Sequence, residues 1–179
     1  MRCANLTLSA SLQALEGTPM TIKVGDRLPD VKLTQATAEG PKPVTTDDVF
    51  KGRKVALFAL PGAFTPTCSA KHLPGFKQLA GEIKGKGVDV IACLSVNDAF
   101  VMRAWAEDQA VGDDIVMLAD GGADFTKAIG LDFDASKFGM GVRSQRYSMI
   151  VDDGVVKELN VEAAGEFRVS AADYLLAQI

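Results

Sequence analysis

Apolar residues recur along this chain in two rhythms. Short, largely apolar runs occur at 55–60, 88–95 and 115–118, and such runs between turn residues suit strands buried on both faces. Leu73, Phe76, Ala80 and Ile83 instead recur at helical spacing. Pro74-Gly75 predicts a kink or break in that helix after its first turns, and Gly85-Lys86-Gly87 predicts its end. A helix over 98–110 would be capped by Asn97 or Asp98, with Val101 and Trp105 on one face. A shorter helix over 123–129 would stop at Gly130. Residues 147–151 and 155–159, joined by Asp152-Asp153-Gly154, read as a hairpin. Residues 170–178 read as a closing helix, with Ser170 as its candidate cap. Strands that alternate with helices and end in a hairpin predict an α/β fold, with a mixed central sheet and flanking helices.

Composition narrows the function classes. The 179 residues are 47% hydrophobic, with 19 basic against 23 acidic side chains and a net charge of −4. That length suits one domain burying roughly 70% of its unfolded surface, and we place it at 21–179. Without a basic block nucleic acid is not an expected partner, and without an apolar run of 18 residues a membrane is not either. The three cysteines, Cys3, Cys68 and Cys93, form no Cys-x-x-Cys and cannot all pair. This is the usage of a reducing compartment, and the expectation is cytoplasmic. Residues 1–20 carry only Arg2 and Glu16 as charges and read as a loosely ordered extension. The alternative is an organelle, if that extension is a transit peptide, although one arginine is few for such a segment.

The chemistry concentrates at Cys68, in the run Pro61-Gly62-Ala63-Phe64-Thr65-Pro66-Thr67-Cys68-Ser69 between the strand at 55–60 and the helix that follows. A thiol in the first turn of a helix faces unpaired N–H groups and the positive end of the helix dipole, both of which favour the nucleophilic thiolate.

The string PGAFTPTCSAKHLPGF (61–76) resembles the active-site segment of peroxiredoxins of the type II/type 5 group. The similarity begins at 22–29 and includes 94–105 and 146–154. These segments in order are far more specific than a lone Thr-x-x-Cys. The resemblance implies a thioredoxin-like fold and a thiol peroxidase of cell redox homeostasis, with no cofactor or metal. Its substrates would be hydrogen peroxide and alkyl hydroperoxides. The sulfenic acid formed would be recycled by glutaredoxin/glutathione or thioredoxin. The resemblance also implies a homodimer built through the active-site face, with Phe64, His72 and Phe100 near the contact.

By the same resemblance four positions match the catalytic set. Cys68 would be the peroxidatic nucleophile, and Thr65 would direct its hydroxyl at the sulfur or the bound peroxide. Arg146 would favour the thiolate and donate to peroxide oxygens, and Pro61 would wall the pocket. The Ala63 and Cys68 amides would be further donors. Plainer readings stand beside these: a turn threonine, a surface arginine, or Arg143 in place of Arg146. His72, the single histidine, shares a helical face with Cys68. It suggests a protease-like Cys–His pair, a metal pair or a structural residue at the pocket edge or subunit contact, and the last is preferred. Some relatives carry a resolving cysteine near the C-terminus; here 166–170 hold none. Cys93 matches a second cysteine of the plant-like branch, yet its strand suits core filling. Competing functions are a thiol–disulfide oxidoreductase, disfavoured by Thr65 in place of a first cysteine, and a peroxide-sensing relay or holdase without sustained turnover.

Overall fold

The computed structural model describes residues 20–179. The reading of 1–20 as an extension, apart from Met20, and that of Cys3 lie outside the described residues. In chain order the elements begin with β1 (Lys32–Thr37), β2 (Gly40–Thr45), α1 (Thr46–Phe50) and β3 (Lys54–Leu60). A π-helical turn over Cys68–His72 leads into α2 (Leu73–Gln78) and α3 (Ala80–Gly85), then β4 (Val90–Ser95) and α4 (Ala99–Asp108). Next come β5 (Val116–Ala119), α5 (Asp124–Ala128), β6 (Asp132–Asp134) and β7 (Val142–Ser144). The hairpin β8 (Tyr147–Asp152) and β9 (Val155–Val161) and the helix α6 (Ala172–Leu176) complete the chain.

Seven strands form one sheet in the order β2-β1-β5-β4-β3-β8-β9. β3, β4 and β5 are parallel and the other pairs antiparallel, so the sheet is mixed. Its two faces carry separate cores, because successive strand residues point to opposite sides. Ala56, Phe58 and Leu60 of β3 pack with Leu73, Phe76, Ile83, Met102, Trp105 and Leu175, beneath α2, α3, α4 and α6. Val55, Leu57 and Ala59 pack with Val49, Phe50 and Phe125, beneath α1 and α5. Burial on both faces is why these strands read as continuous apolar runs.

Several local expectations change. The helix after Cys68 breaks at Leu79, and Pro74, which cannot donate to a preceding carbonyl, comes just after the π-helical turn over Cys68–His72, where the helix is distorted. The buried stripe of α4 is Ala99, Met102 and Trp105, with Val101 only half-buried. Asp98 caps that helix by accepting from the Val101 N–H at 2.9 Å. Ser170 does not cap α6; Ala171 stands there without a side-chain bond, and the Ser170 hydroxyl donates to Glu162. The hairpin closes through two residues, Asp153 and Gly154, with φ of 47° and 77°. Positive φ at both positions is the twist a two-residue hairpin loop needs. The pairs β1–β2 and β6–β7 had no clear sequence signal, since Pro41 and Pro43 interrupt the alternation in β2 and β6 and β7 span three residues each.

Candidate active site

β3 delivers the chain to Pro61 at the end of the parallel strands, and the following turn doubles back into a helix that opens at Pro66. Phe64 sits in this turn at φ 61°, an uncommon conformation for an aromatic residue, with half its surface (53%) exposed. The turn is pinned by Asn97, whose Oδ1 accepts from the Ala63 N–H at 3.0 Å and from the Ser95 hydroxyl at 2.7 Å. The Ala63 amide is therefore already engaged, contrary to its expected role as a free donor. Thr65 donates its hydroxyl to the Gly62 carbonyl at 2.7 Å, so the hydroxyl proton points along the turn and its oxygen stays available to accept. The Cys68 N–H has no acceptor among the described residues, as the first turn of a helix leaves it.

Cys68 is fully buried under this turn. Arg146, in the residue before β8, brings Nη2 to 3.4 Å from the Cys68 sulfur. Its Nη1 donates to His72 Nδ1 at 3.0 Å. His72 Nε2 in turn donates to the Ser170 carbonyl at 3.1 Å. A guanidinium only donates and a carbonyl only accepts, so these partners fix His72 as the uncharged tautomer with its proton on Nε2. Burial pushes the His72 imidazole down to about 3, and the Arg146 charge adds to the effect. Its ring is enclosed by Phe58, Phe76 and Phe167, at centroid separations of 5.1, 5.7 and 5.1 Å. The Phe167 ring also lies 5.8 Å from the Arg146 guanidinium carbon. None of the ion pairs among the described residues involves Arg146, so its charge faces the thiol without a neutralising carboxylate.

The structure brings Cys68 and Arg146 together and sets Thr65 and half-buried Pro61 on the turn beside them. Arg143 is occupied elsewhere, donating from Nε to the Met140 carbonyl at 2.9 Å and from Nη1 to the Val96 carbonyl at 3.0 Å. His72 is not at a pocket edge or subunit contact: it is fully buried behind the arginine. Both its ring nitrogens are engaged, leaving neither for a metal nor for a proton taken from Cys68. Sequence reading missed this link because His72 and Arg146 lie 74 residues apart. The available signal was the shared helical face of Cys68 and His72. Cys93 lies in mid-sheet in β4, paired with Phe58 on one side and Met117 on the other. Burial, and secondarily the neighbouring Cys68, push its thiol well up.

A family model described as Redoxin matches residues 23–176. The rice (Oryza sativa subsp. japonica) protein Peroxiredoxin-2E-2, chloroplastic, is 55% identical over 161 residues, spanning 87% of this chain and 72% of that protein. Peroxiredoxin-2E, chloroplastic, of Arabidopsis thaliana is 49% identical over 174 residues, spanning 94% of this chain and 74% of its own. Among solved structures, reduced Prx3 of Vibrio vulnificus in complex with hydrogen peroxide superimposes with a TM-score of 0.85 at 55% identity. It covers 88% of this chain and 99% of the Vibrio chain.

Proposed function

The chain belongs to the redoxin family as a thioredoxin-fold peroxiredoxin of the type II group, a thiol-dependent peroxidase, and from that premise we propose that Cys68 is its peroxidatic cysteine and Arg146 its principal donor. The observation that carries this reading is the 3.4 Å approach of Arg146 Nη2 to a buried thiol at the start of a helix. In the reaction the Cys68 thiolate attacks one peroxide oxygen. The S–O bond forms as the O–O bond breaks, and the departing oxygen takes a proton to leave as water or an alcohol. The Arg146 N–H groups not held by His72, with the Cys68 amide, donate to the oxygens on which charge grows. Thr65 accepts from the peroxide hydroxyl, and Pro61 closes one wall without offering a competing donor. Stopped-flow mixing with hydrogen peroxide tests this: one equivalent should convert Cys68 to sulfenate, and an added thiol reductant should give repeated turnover. Oxidation without turnover would favour the sensing or holdase alternative, and the absence of Cys68 oxidation overturns the assignment.

The sulfenate returns to thiol, on this reading, by attack of an external thiol: glutathione with glutaredoxin, or a thioredoxin. Cys93 is a poor resolving partner because a disulfide needs the two Cα atoms within about 7 Å and matching Cβ directions. Cys93 shares one buried core with Cys68, but it is held in the sheet by β3 and β5, so a bridge requires the Cys68 turn to unwind towards it. Cys93→Ser is therefore expected to keep at least about half of the turnover with glutathione and glutaredoxin, since its protonated, buried thiol is a weak nucleophile. Peptide mapping after one equivalent of peroxide should find sulfenate or glutathionylated Cys68. A dominant Cys68–Cys93 bridge sinks this version.

The assembly proposed is a homodimer through the active-site face. Its support is the exposure of Phe64 (53%) and Phe100 (73%), which flank the ends of the strands that carry the site. His72, being buried, takes no part in that contact. Sedimentation velocity at micromolar concentration should show a species of two chains, and Phe100→Glu should shift it to one; a wild-type monomer removes the proposal. The chloroplastic names of the rice and Arabidopsis relatives favour the organelle alternative, with residues 1–20 as transit peptide, over the cytoplasmic one.

A further inference from the structure

The segment that covers the site is fastened by a carboxylate that plays no part in the chemistry described so far. Glu162 follows β9 directly and lies across the ladder from Arg146, donating its N–H to the Arg146 carbonyl at 2.9 Å. It is buried, and its Oε1 takes three donors from the returning chain. These are the Arg168 N–H at 2.6 Å, the Ser170 N–H at 2.8 Å and the Ser170 hydroxyl at 2.8 Å. Hydrogen bonds to an ionised oxygen are about twice as strong as neutral ones. Burial pushes the Glu162 carboxyl up, but these donors outweigh it and hold the group below its usual range.

The clamped segment presents two groups to the site. The Ser170 carbonyl accepts from His72 Nε2, and the Phe167 ring covers both His72 and the Arg146 guanidinium. Resting on the assignment of Cys68 and Arg146 above, we propose that Glu162 is a positioning residue that acts on Arg146 through this segment. By tying 166–170 to the end of β9 it fixes the Ser170 carbonyl and the Phe167 ring, and through His72 it fixes the aim of Arg146 at the Cys68 sulfur. The indirect route has a physical logic. A carboxylate bonded directly to Arg146 would cancel the charge that stabilises the thiolate, whereas one acting through a neutral imidazole orients the guanidinium and leaves its charge intact.

The test uses the full chain, with the rate of Cys68 oxidation by hydrogen peroxide and the thiolate absorbance at 240 nm as readouts. Glu162→Ala should slow oxidation by about tenfold or more, since a misplaced donor loses most of its effect on the transition state, and should lower the thiolate fraction at pH 7. Glu162→Gln keeps an acceptor oxygen in place and should stay within about threefold of the parent. If Glu162→Ala lowers only the melting temperature and leaves rate and thiolate fraction unchanged, the residue is merely structural and the proposal is overturned. A Gln variant as slow as the Ala variant overturns it too. Should Glu162→Ala fail to fold, Phe167→Ala carries the test from a half-buried position: a slowing of about threefold or more supports the proposal, and an unchanged rate overturns it. Cys68→Ser measured alongside separates the two levels. Turnover retained there defeats the active-site assignment itself, whereas an inactive Cys68→Ser beside an unimpaired Glu162→Ala defeats only the clamp.

Discussion

Cys68→Ser is expected to abolish hydrogen peroxide consumption, by more than about 10⁴-fold, because a hydroxyl at neutral pH is a far weaker nucleophile than a thiolate. The serine oxygen occupies nearly the same space in a fully buried position, so the fold should survive. Near-ultraviolet circular dichroism and the melting temperature should stay close to those of the parent. Coupled assays with glutathione and glutaredoxin, and with thioredoxin, should both read at background. Residual turnover above a trace would mean that another group carries the chemistry. Cys93 is the other cysteine among the described residues, and it is buried in mid-sheet.

The second large effect is expected at Arg146. Arg146→Gln removes the positive charge 3.4 Å from the sulfur, together with the N–H groups proposed to donate to the departing oxygen. Oxidation of Cys68 should slow by about 10²-fold or more, the loss typical of one transition-state donor. The same substitution should reduce the thiolate fraction, read at 240 nm across a pH series, because the charge favours the ionised sulfur. Arg143→Gln is the control. Its guanidinium is spent on the Met140 and Val96 carbonyls, so its loss should loosen the surrounding loops more than it slows the chemistry. A normal Arg146→Gln beside a defective Arg143→Gln would reverse the assignment of the two arginines.

Much of the fold was legible because its strands are short and doubly buried. A run such as 55–60 has few alternatives once turn residues bound it, and the helical spacing of Leu73, Phe76, Ala80 and Ile83 places four buried residues on one face. Errors gathered where local chemistry admits two answers. Val101 and Met102 are both apolar and adjacent, and only packing against the sheet selects Met102 as the buried one. Ser170 has the composition of a helix cap, yet a buried carboxylate claims its hydroxyl. The turn Pro61–Thr65 was legible as a turn, but the capture of its Ala63 amide by Asn97 depends on how β3 and β4 pair.

The sequence by itself determined that Cys68 stands at a strand-to-helix junction, and the family of the chain. Those properties belong to contiguous residues, and local order suffices to encode them. Tertiary structure alone decided what holds Arg146 against the thiol, an arginine that the resemblance had already favoured over Arg143. Arg146, His72 and the segment that holds Glu162 and Phe167 come from three separate stretches of chain and converge only when β8 lies beside β3 and the segment after β9 folds back over the helix. No local pattern encodes that convergence. It follows from strand order, which sets where each end of the sheet delivers its side chains, and from the need of each buried donor and acceptor to find a partner there.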